Sequence, residues 1–363
     1  MTVWQIIATG LLWLCSFAGA AQDTEVIFQQ IDTCLERYHQ QAAFSGVALV
    51  AKRGELLYHK GFGYANLEQQ TANSASTKFL IGSATKSFTA IAVMQCVEKG
   101  WLSLQTPIRN YLPMLNAELG QLTLHQLMKN SSGLPVHLNR ITTLEYRNIS
   151  SEELLELYET IKLSFTPGTQ YEYSNLNYQL CALIVEEVSG MPYAEFLEQY
   201  IFKPLGMYDT GVQRTHEQVA ERATGYVVEE GNLQPAPKNY LAHAMGGGDI
   251  YATAADLLKW DQALYHQQLL NATSLDLLFD GTPGAFGGYG YGFKVKQYAR
   301  GINSQEIGKL VRHGGSMYGF VCNIHRYLDD EVTIIILGNV RPYPVMEMTV
   351  ALEELLRKYH FFE

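Results

Sequence analysis

The stretch that most constrains the fold is residues 79–98, where an extended segment ends at Gly82 and a helical pattern begins at Ser83. The residues from Ala84 to Glu98 favour a helix, and Lys99-Gly100 ends it. Its apolar residues lie on nearly every side of that helix: Phe88, Ile91, Ala92, Val93, Met94 and Val97. A helix that is apolar all round must be enclosed by other elements. The sequence therefore predicts that this helix lies inside the molecule.

Ser83 and Lys86 lie three residues apart in the first turn of this helix, so their side chains share one face. A lysine in a buried turn cannot extend to water, and burial together with the helix N-terminus favours its neutral amine. A neutral amine can take the proton of a serine hydroxyl and make it a nucleophile. The S-x-x-K pattern is short and occurs by chance in chains of this length, so it needs support from elsewhere in the sequence.

Composition narrows the possible partners. The chain has 363 residues, of which 47% are hydrophobic, and a formal net charge of -10. This describes a globular protein, and the negative charge disfavours nucleic acid and anionic membrane surfaces as partners. We expect a small-molecule or peptide substrate instead. No membrane association is expected beyond a possible anchor formed by the N-terminal segment.

No motif for a metal or a cofactor is present. The cysteines after the N-terminal segment are widely spaced and predicted to be buried free thiols, with pairing of some of them in an exported chain as the alternative: Cys34, Cys96, Cys181 and Cys322. The glycine-rich residues 281–292 lack G-K-[ST], so we interpret them as a loop near the site and not as a phosphate-binding loop. We therefore expect no cofactor and no metal.

The N-terminal segment has the pattern of a signal peptide. Residues 1–21 carry no acidic or basic side chain, and an apolar run over residues 3–14 is followed by Ala18-Gly19-Ala20. The sequence predicts a signal peptide over residues 1–20 and an exported protein, periplasmic or secreted. Retention of this segment as a membrane anchor is the alternative.

The remaining chain alternates between sheet-like and helix-like stretches. Amphipathic helices are predicted over residues 24–40 and 345–359. Strands are predicted over residues 46–52, 55–61, 293–298, 307–312, 318–327 and 332–339, the first two joined by a turn at Arg53-Gly54. We predict an α/β (α+β) fold with an antiparallel sheet flanked by helices. Residues 21–101 and 241–363 would form one lobe, and residues 102–240 would form an inserted, mainly helical lobe with few strands.

Three short motifs stand in chain order: Ser83-Ala84-Thr85-Lys86 at the helix start, Tyr173-Ser174-Asn175 on a loop before a buried helix, and His313-Gly314-Gly315 on a strand. They resemble the S-x-x-K, Y-x-N and K-T-G set of serine β-lactamases and penicillin-binding proteins, in the class C-like form. Stretches such as Asn130-Ser131-Ser132-Gly133-Leu134-Pro135 are similar as well. The resemblance covers nearly the whole chain after residue 20 and implies a β-lactamase/transpeptidase-like fold.

The resemblance implies a role for each matching residue. Ser83 would be the acylated nucleophile, and Lys86 and Tyr173 a proton-transfer pair. A phenol beside a lysine ammonium has its phenolate favoured, so we expect either of the two to accept the serine proton. Asn175 would hydrogen-bond the amide side of the substrate. Two backbone features would complete the site. Gly315 has no side chain and would let the substrate approach the strand that carries it. The backbone N-H groups of Ser83 and Ser316 would together bind an oxyanion.

His313 departs from the family pattern, since it replaces the lysine of K-T-G. Within the family this variant resembles esterases and peptidases. A histidine with the ordinary pKa of about 6.5 is mostly neutral at about pH 7.5 and would bind a carboxylate weakly. We therefore expect β-lactams to be poorer substrates than short esters or small peptides, with a preference for carboxylate substrates that rises toward about pH 6.

The sequence thus predicts a serine hydrolase that acts on an amide or ester through an acyl-enzyme on Ser83, with peptidase-like or esterase-like activity. A true β-lactamase or a D-alanyl-D-alanine carboxypeptidase is the alternative within the same chemistry. A catalytically silent, penicillin-binding-like sensor or assembly protein is the alternative outside it. Turnover of any ester distinguishes the enzymes from the sensor, because a sensor gives at most one acylation per molecule.

Overall fold

The computed structural model describes residues 25–41, 44–136, 147–213, 218–237, 241–282, 288–302 and 304–362. Its strands, in chain order, are β1 Gly46–Lys52, β2 Glu55–Phe62, β3 Tyr64–Asn66, β4 Thr71–Ala72, β5 Phe79–Leu80, β6 Gly211–Val212, β7 Tyr226–Glu229, β8 Asn232–Pro235, β9 Ile250–Ala252, β10 Lys294–Ala299, β11 Ile307–Met317, β12 Phe320–Tyr327, β13 Val332–Gly338 and β14 Val340–Arg341. Within the described residues the largest sheet is antiparallel and has the order β10-β11-β12-β13-β1-β2.

The helices lie on both faces of this sheet. They are α1 over residues 25–41, α2 Thr85–Glu98, α3 Leu124–Met128, α4 Ser151–Tyr158, α5 Asn175–Ser189, α6 Tyr193–Leu197, α7 Ala254–Tyr265, α8 Ala272–Leu278 and α9 Val345–Lys358. None of the helices in the described ranges is long and apolar enough to cross a bilayer.

Strand β1 shows how the two faces are covered. Val47 and Leu49 belong to the core that encloses α2, whereas Ala48 and Val50 belong to a second core with α1 and α9. Successive side chains of a strand point to opposite faces, so a strand between two helical layers must be apolar at every position. This explains the unbroken apolar run in the sequence. Helix α2 is buried almost throughout, as its sequence predicts.

The sheet and its flanking helices confirm the predicted fold class. The hairpin forms as predicted, with positive φ values of 51° at Arg53 and 77° at Gly54, the second of which glycine adopts without strain. The predicted strands and helices are present, most ends shifting by at most two residues, but β11 extends five residues beyond its predicted end, to Met317. The four cysteines from Cys34 onward are free, although Cys34 is only half-buried.

Strands from both ends of the chain meet in one sheet, because β1 and β2 continue the sheet formed by β10 to β13. The division into two lobes, with boundaries at residues 101 and 241, stays a prediction. Residues 102–240 contain helices α3 to α6, but also the hairpin β7-β8, which we did not expect and which pairs with β14. Residues 1–20, where the signal peptide is predicted, lie outside the described residues.

Candidate active site

Ser83 lies in a short 3-10 turn, Gly82–Ala84, that leads directly into α2. This turn packs against the part of β11 that extends beyond its pairing with β10. The contact is between backbones: a Cβ atom added to Gly315 would lie 1.8 Å from the carbonyl oxygen of Ile81, and one added to Gly82 would lie 2.9 Å from the nitrogen of Ser316. Both glycines are therefore needed to bring Ser83 beside the edge of β11.

The loop that carries Tyr173 is held by Asn130, which has a positive φ of 54°. Its side-chain oxygen accepts hydrogen bonds from the backbone N-H of Ser174 at 3.0 Å and from the amide of Asn177 at 2.9 Å. Its carbonyl accepts one from the N-H of Glu172 at 2.9 Å. Ser174 also caps the N-terminus of α5. The Asn130 stretch noted in the sequence thus fixes Tyr173 on its loop.

Lys86 is fully buried beneath the serine. Its Nζ donates hydrogen bonds to Oδ1 of Asn175 at 2.6 Å and to the carbonyl of Gly247 at 2.7 Å, and it lies 5.0 Å from the centre of the Tyr173 ring. Burial lowers the pKa of Lys86 from its ordinary 10.5 to about 7, against the opposing charge of Asp249. About half of the molecules therefore carry a neutral amine near pH 7.

Tyr173 and Ser83 line the same cavity, and their side chains are close enough to interact. Burial raises the pKa of Tyr173 above its ordinary value, and the interaction with the Ser83 side chain opposes this only in part. The expectation of a favoured phenolate is therefore wrong, because burial of the phenol disfavours its charged form. The phenol stays protonated, and Lys86 is the group of this pair that can act as a base.

His313 points inward from β11 and is only 3% exposed. Its Nδ1 lies 2.7 Å from the carbonyl oxygen of Gly314, and its Nε2 lies 2.9 Å from the hydroxyl of Tyr289. A carbonyl only accepts, so Nδ1 carries the proton and Nε2 accepts from Tyr289. Burial, helped by the charge of Lys86, lowers the pKa of His313 to about 3. The expected ordinary pKa is wrong, and with it the expected rise in carboxylate preference near pH 6.

A cavity of about 400 Å³ opens above these groups. Five predicted site residues line it: Ser83, Tyr173, His313, Gly315 and Ser316. Lys86 and Asn175 lie behind it and contact each other. The lining also includes Tyr171, Lys294 and Arg312, which the sequence did not indicate.

The glycine-rich loop is partly described and lies at the site as predicted. Gly292 packs so tightly on the first turn of α2 that an added Cβ would lie 2.6 Å from the carbonyl oxygen of Lys86. The same loop supplies Tyr289, the partner of His313. The position of Tyr289 in this loop was the one sequence signal that linked it to the site. Nothing in the sequence pattern indicated its contact with His313, which lies 24 residues later in the chain.

The β-lactamase family model matches residues 31–356. The chain belongs to the β-lactamase family. PbpX of Bacillus subtilis (strain 168) is 35% identical over 262 residues, which are 72% of this chain and 64% of PbpX. A penicillin-binding protein of the same strain is 29% identical over 86% of this chain and 71% of its own length. Protein flp of Staphylococcus aureus (strain MW2) matches over only 46% of its length, so the chain spans part of several relatives.

Solved structures confirm the β-lactamase/transpeptidase-like fold. The D-amino acid amidase of Ochrobactrum anthropi SV3, crystallised with L-phenylalanine amide, superposes with a TM-score of 0.78 at 25% identity, over 92% of this chain and 99% of the amidase. FmtA of Staphylococcus aureus superposes with a TM-score of 0.77 at 25% identity, over 92% of this chain and 89% of FmtA. The chain is thus a member of a serine hydrolase superfamily with penicillin-binding proteins and an amidase among its neighbours.

Proposed function

We propose that this protein is a serine hydrolase that cleaves an amide or ester through an acyl-enzyme on Ser83. The observation that carries the proposal is the placement of a serine hydroxyl against Tyr173, above a fully buried Lys86 whose pKa burial lowers to about 7. A nucleophilic hydroxyl needs a nearby base that is neutral at the working pH. Lys86 meets this requirement, and an exposed lysine does not.

The reaction begins when the Ser83 oxygen attacks the substrate carbonyl carbon and its proton passes to the amine of Lys86. The phenol of Tyr173 lies beside the serine in the same cavity and orients the serine hydroxyl. The carbonyl oxygen gains the electron pair, and backbone N-H groups of Ser83 and Ser316 stabilise the resulting oxyanion. The Lys86 ammonium then protonates the leaving amine or alcohol as its bond to the carbonyl carbon breaks. Water hydrolyses the acyl-enzyme through the same groups.

Peptidase-like or esterase-like activity is the first choice of substrate class. The amidase neighbour supports an amide substrate, since it was crystallised with an amino acid amide. A true β-lactamase and a D-alanyl-D-alanine carboxypeptidase use the same groups and differ in substrate. A silent sensor is less consistent with the site, because it has no need for a buried lysine held by Asn175 and Gly247.

The test is to incubate the purified protein with an aryl ester, a D-amino acid amide, a D-alanyl-D-alanine peptide and a penicillin. We expect many product molecules per enzyme for at least one of them, and mass spectrometry should locate an acyl group on Ser83. Ser83→Ala should lower turnover by about a million-fold. Ser87→Ala is the matched control, because its hydroxyl lies in the same helix and donates to the Ala84 carbonyl away from the cavity. A single burst, or a tenth of wild-type activity in Ser83→Ala, would contradict the proposal.

We also propose that the protein is exported, from the uncharged apolar N-terminus followed by Ala18-Gly19-Ala20. The mature chain should then begin near Ala21. N-terminal sequencing of protein from a fractionated expression host tests this. An intact Met1 on protein in the cytoplasmic fraction contradicts it.

A further inference from the structure

Consecutive glycines supply one of the hydrogen-bond acceptors of the Lys86 amine. Gly247 lies between Gly246 and Gly248 in the segment that leads to β9, and its carbonyl oxygen accepts from Lys86 Nζ at 2.7 Å. Glycine has more conformational freedom than any other residue, so a run of glycines has no preferred backbone position of its own. The position of this carbonyl therefore depends on what holds the segment.

Helix α2 holds the segment through Thr89, which lies three residues after Lys86 and shares its helix face. The Thr89 hydroxyl is fully buried and donates to the carbonyl of Gly246, with Oγ1 and O 2.6 Å apart. A threonine inside a helix commonly donates to the carbonyl four residues earlier, but that oxygen, of Thr85, is 3.3 Å away. The shorter contact takes the single proton of Thr89. Two neighbouring carbonyls, of Gly246 and Gly247, are thus bound by two side chains of one helix face.

Tyr193 of α6 begins this chain of hydroxyl groups. Its hydroxyl lies 2.7 Å from Thr89 Oγ1, and because Thr89 gives its proton to Gly246, Tyr193 is the donor in this contact. Tyr193 is fully buried, and burial raises the pKa of Tyr193, so the phenol keeps the proton that it donates. Donation therefore runs from Tyr193 to Thr89 and from Thr89 to the glycine segment, and each hydrogen bond strengthens the next.

The Gly247 carbonyl determines where the lone pair of Lys86 points. A neutral amine has two N-H groups and one lone pair. Oδ1 of Asn175 and the Gly247 carbonyl accept from Nζ at 2.6 and 2.7 Å, so the lone pair takes the remaining position and can receive the proton of Ser83. The same carbonyl favours the ammonium, because a hydrogen bond to the charged form stabilises that form.

We propose that Thr89 and Tyr193 are positioning residues that hold the Gly247 carbonyl against Lys86, and that they thereby orient the base and favour its protonation. The inference rests on the proposed function, since it concerns the base of that reaction. Replacing Thr89 leaves the charge of every other titratable group near Lys86 in place: Asp249 before β9, Lys294 of β10, His313 of β11, Tyr173 before α5 and Tyr178 of α5. Asp249 also favours the ammonium and lies next to the glycine segment, so release of the segment and of Asp249 act in the same direction.

The experiment compares Thr89→Val, which replaces the hydroxyl by a methyl group of similar size, with Thr89→Ser, which keeps the hydroxyl. For each variant, kcat/KM for a neutral ester is measured between pH 5 and 9, where it follows the neutral fraction of Lys86. Thr89→Val should lower the midpoint of this profile by about one pH unit and its upper plateau by about tenfold or more. Thr89→Ser should restore both. A loss of packing alone would lower stability and leave the midpoint unchanged. Tyr193→Phe should move the midpoint in the same direction by a smaller amount.

The two proposals fail in different ways. An unchanged or higher midpoint in folded Thr89→Val, or the same shift in Thr89→Ser, overturns the positioning role and leaves the hydrolase intact. If Thr89→Val does not fold, Tyr193→Phe decides by the same criterion. Failure of the wild type on every ester counts against the hydrolase. The positioning role is then decided without turnover, by carbon-13 NMR titration of the lysine ε-carbon signal that is missing from Lys86→Arg. That signal must titrate about one pH unit lower in Thr89→Val than in the wild type.

Discussion

The sharpest consequence of a buried lysine base is a pH profile with a midpoint near neutrality. At pH 7, a lysine with the ordinary pKa of 10.5 is neutral in about one molecule in 3,000. With its pKa lowered to about 7, Lys86 is neutral in about half of the molecules, so burial raises the active fraction on the order of a thousandfold. Rates should fall as the pH falls, because protonation removes the base.

The assay is kcat/KM for a neutral ester between pH 5 and 9 at constant ionic strength, since this parameter reports groups of the free enzyme. Activity should be level above about pH 8 and fall about tenfold per pH unit below about pH 6. His313, with its pKa lowered to about 3, adds no step in this range. Lys86→Arg keeps a cation but removes the base, so it should abolish the profile together with the activity.

A second variant tests the cause of the midpoint. Asp249 is fully buried, accepts a hydrogen bond from the Gly246 N-H at 3.1 Å, and its negative charge opposes the lowering of the Lys86 pKa. Asp249→Asn is close to isosteric and removes that charge, so the midpoint should move to lower pH. A profile that is flat from pH 5 to 9, a midpoint near 10, or a shift to higher pH in Asp249→Asn would refute the assignment of Lys86 as the base.

Three further variants probe the site and its support. Tyr173→Phe removes the hydroxyl that orients the nucleophile and should lower kcat/KM about a hundredfold or more without moving the pH midpoint, which steady-state kinetics at several pH values will show. Gly315→Ala should strongly reduce activity because its Cβ meets a backbone carbonyl at 1.8 Å, whereas Gly314→Ala, with its nearest contact at 3.2 Å, should retain far more. Asp261→Asn should lower the free energy of unfolding by about 3 to 5 kcal/mol in urea titrations, because it leaves the buried Arg326 without the negative charge that compensates it; an unchanged unfolding midpoint would contradict this.

The fold was predictable because its signals are local. Turn residues at Arg53-Gly54, the apolar runs of β1 and β13, and the all-round apolar character of α2 each follow from neighbours a few positions apart. The hairpin β7-β8 escaped this reasoning, since β8 is exposed throughout and the place of the hairpin depends on the pairing of β7 with β14. A strand that is held mainly by backbone pairing at its edge buries neither face, so its sequence shows no alternation of apolar and polar residues.

The residues of the candidate site could be predicted from the sequence alone, because Ser83, Lys86, Tyr173, Asn175 and His313 stand in three motifs whose order is specific. Burial of Lys86 also followed from its helix. These features depend only on residue types and on short spacings along the chain, and the sequence contains both.

The charges within the candidate site, by contrast, follow from the three-dimensional arrangement of its residues. Three facts depend on contacts between residues far apart in the chain: the inward orientation of His313 toward Tyr289, the protonated phenol of Tyr173, and the pair formed by Lys294 and Arg312. Desolvation and Coulomb interactions act through distances of a few ångströms, and the sequence contains no such distances. In the sequence, His313 in place of a lysine indicates a cavity without a cation. In the structure, Lys294 and Arg312 line the same cavity and make it positive.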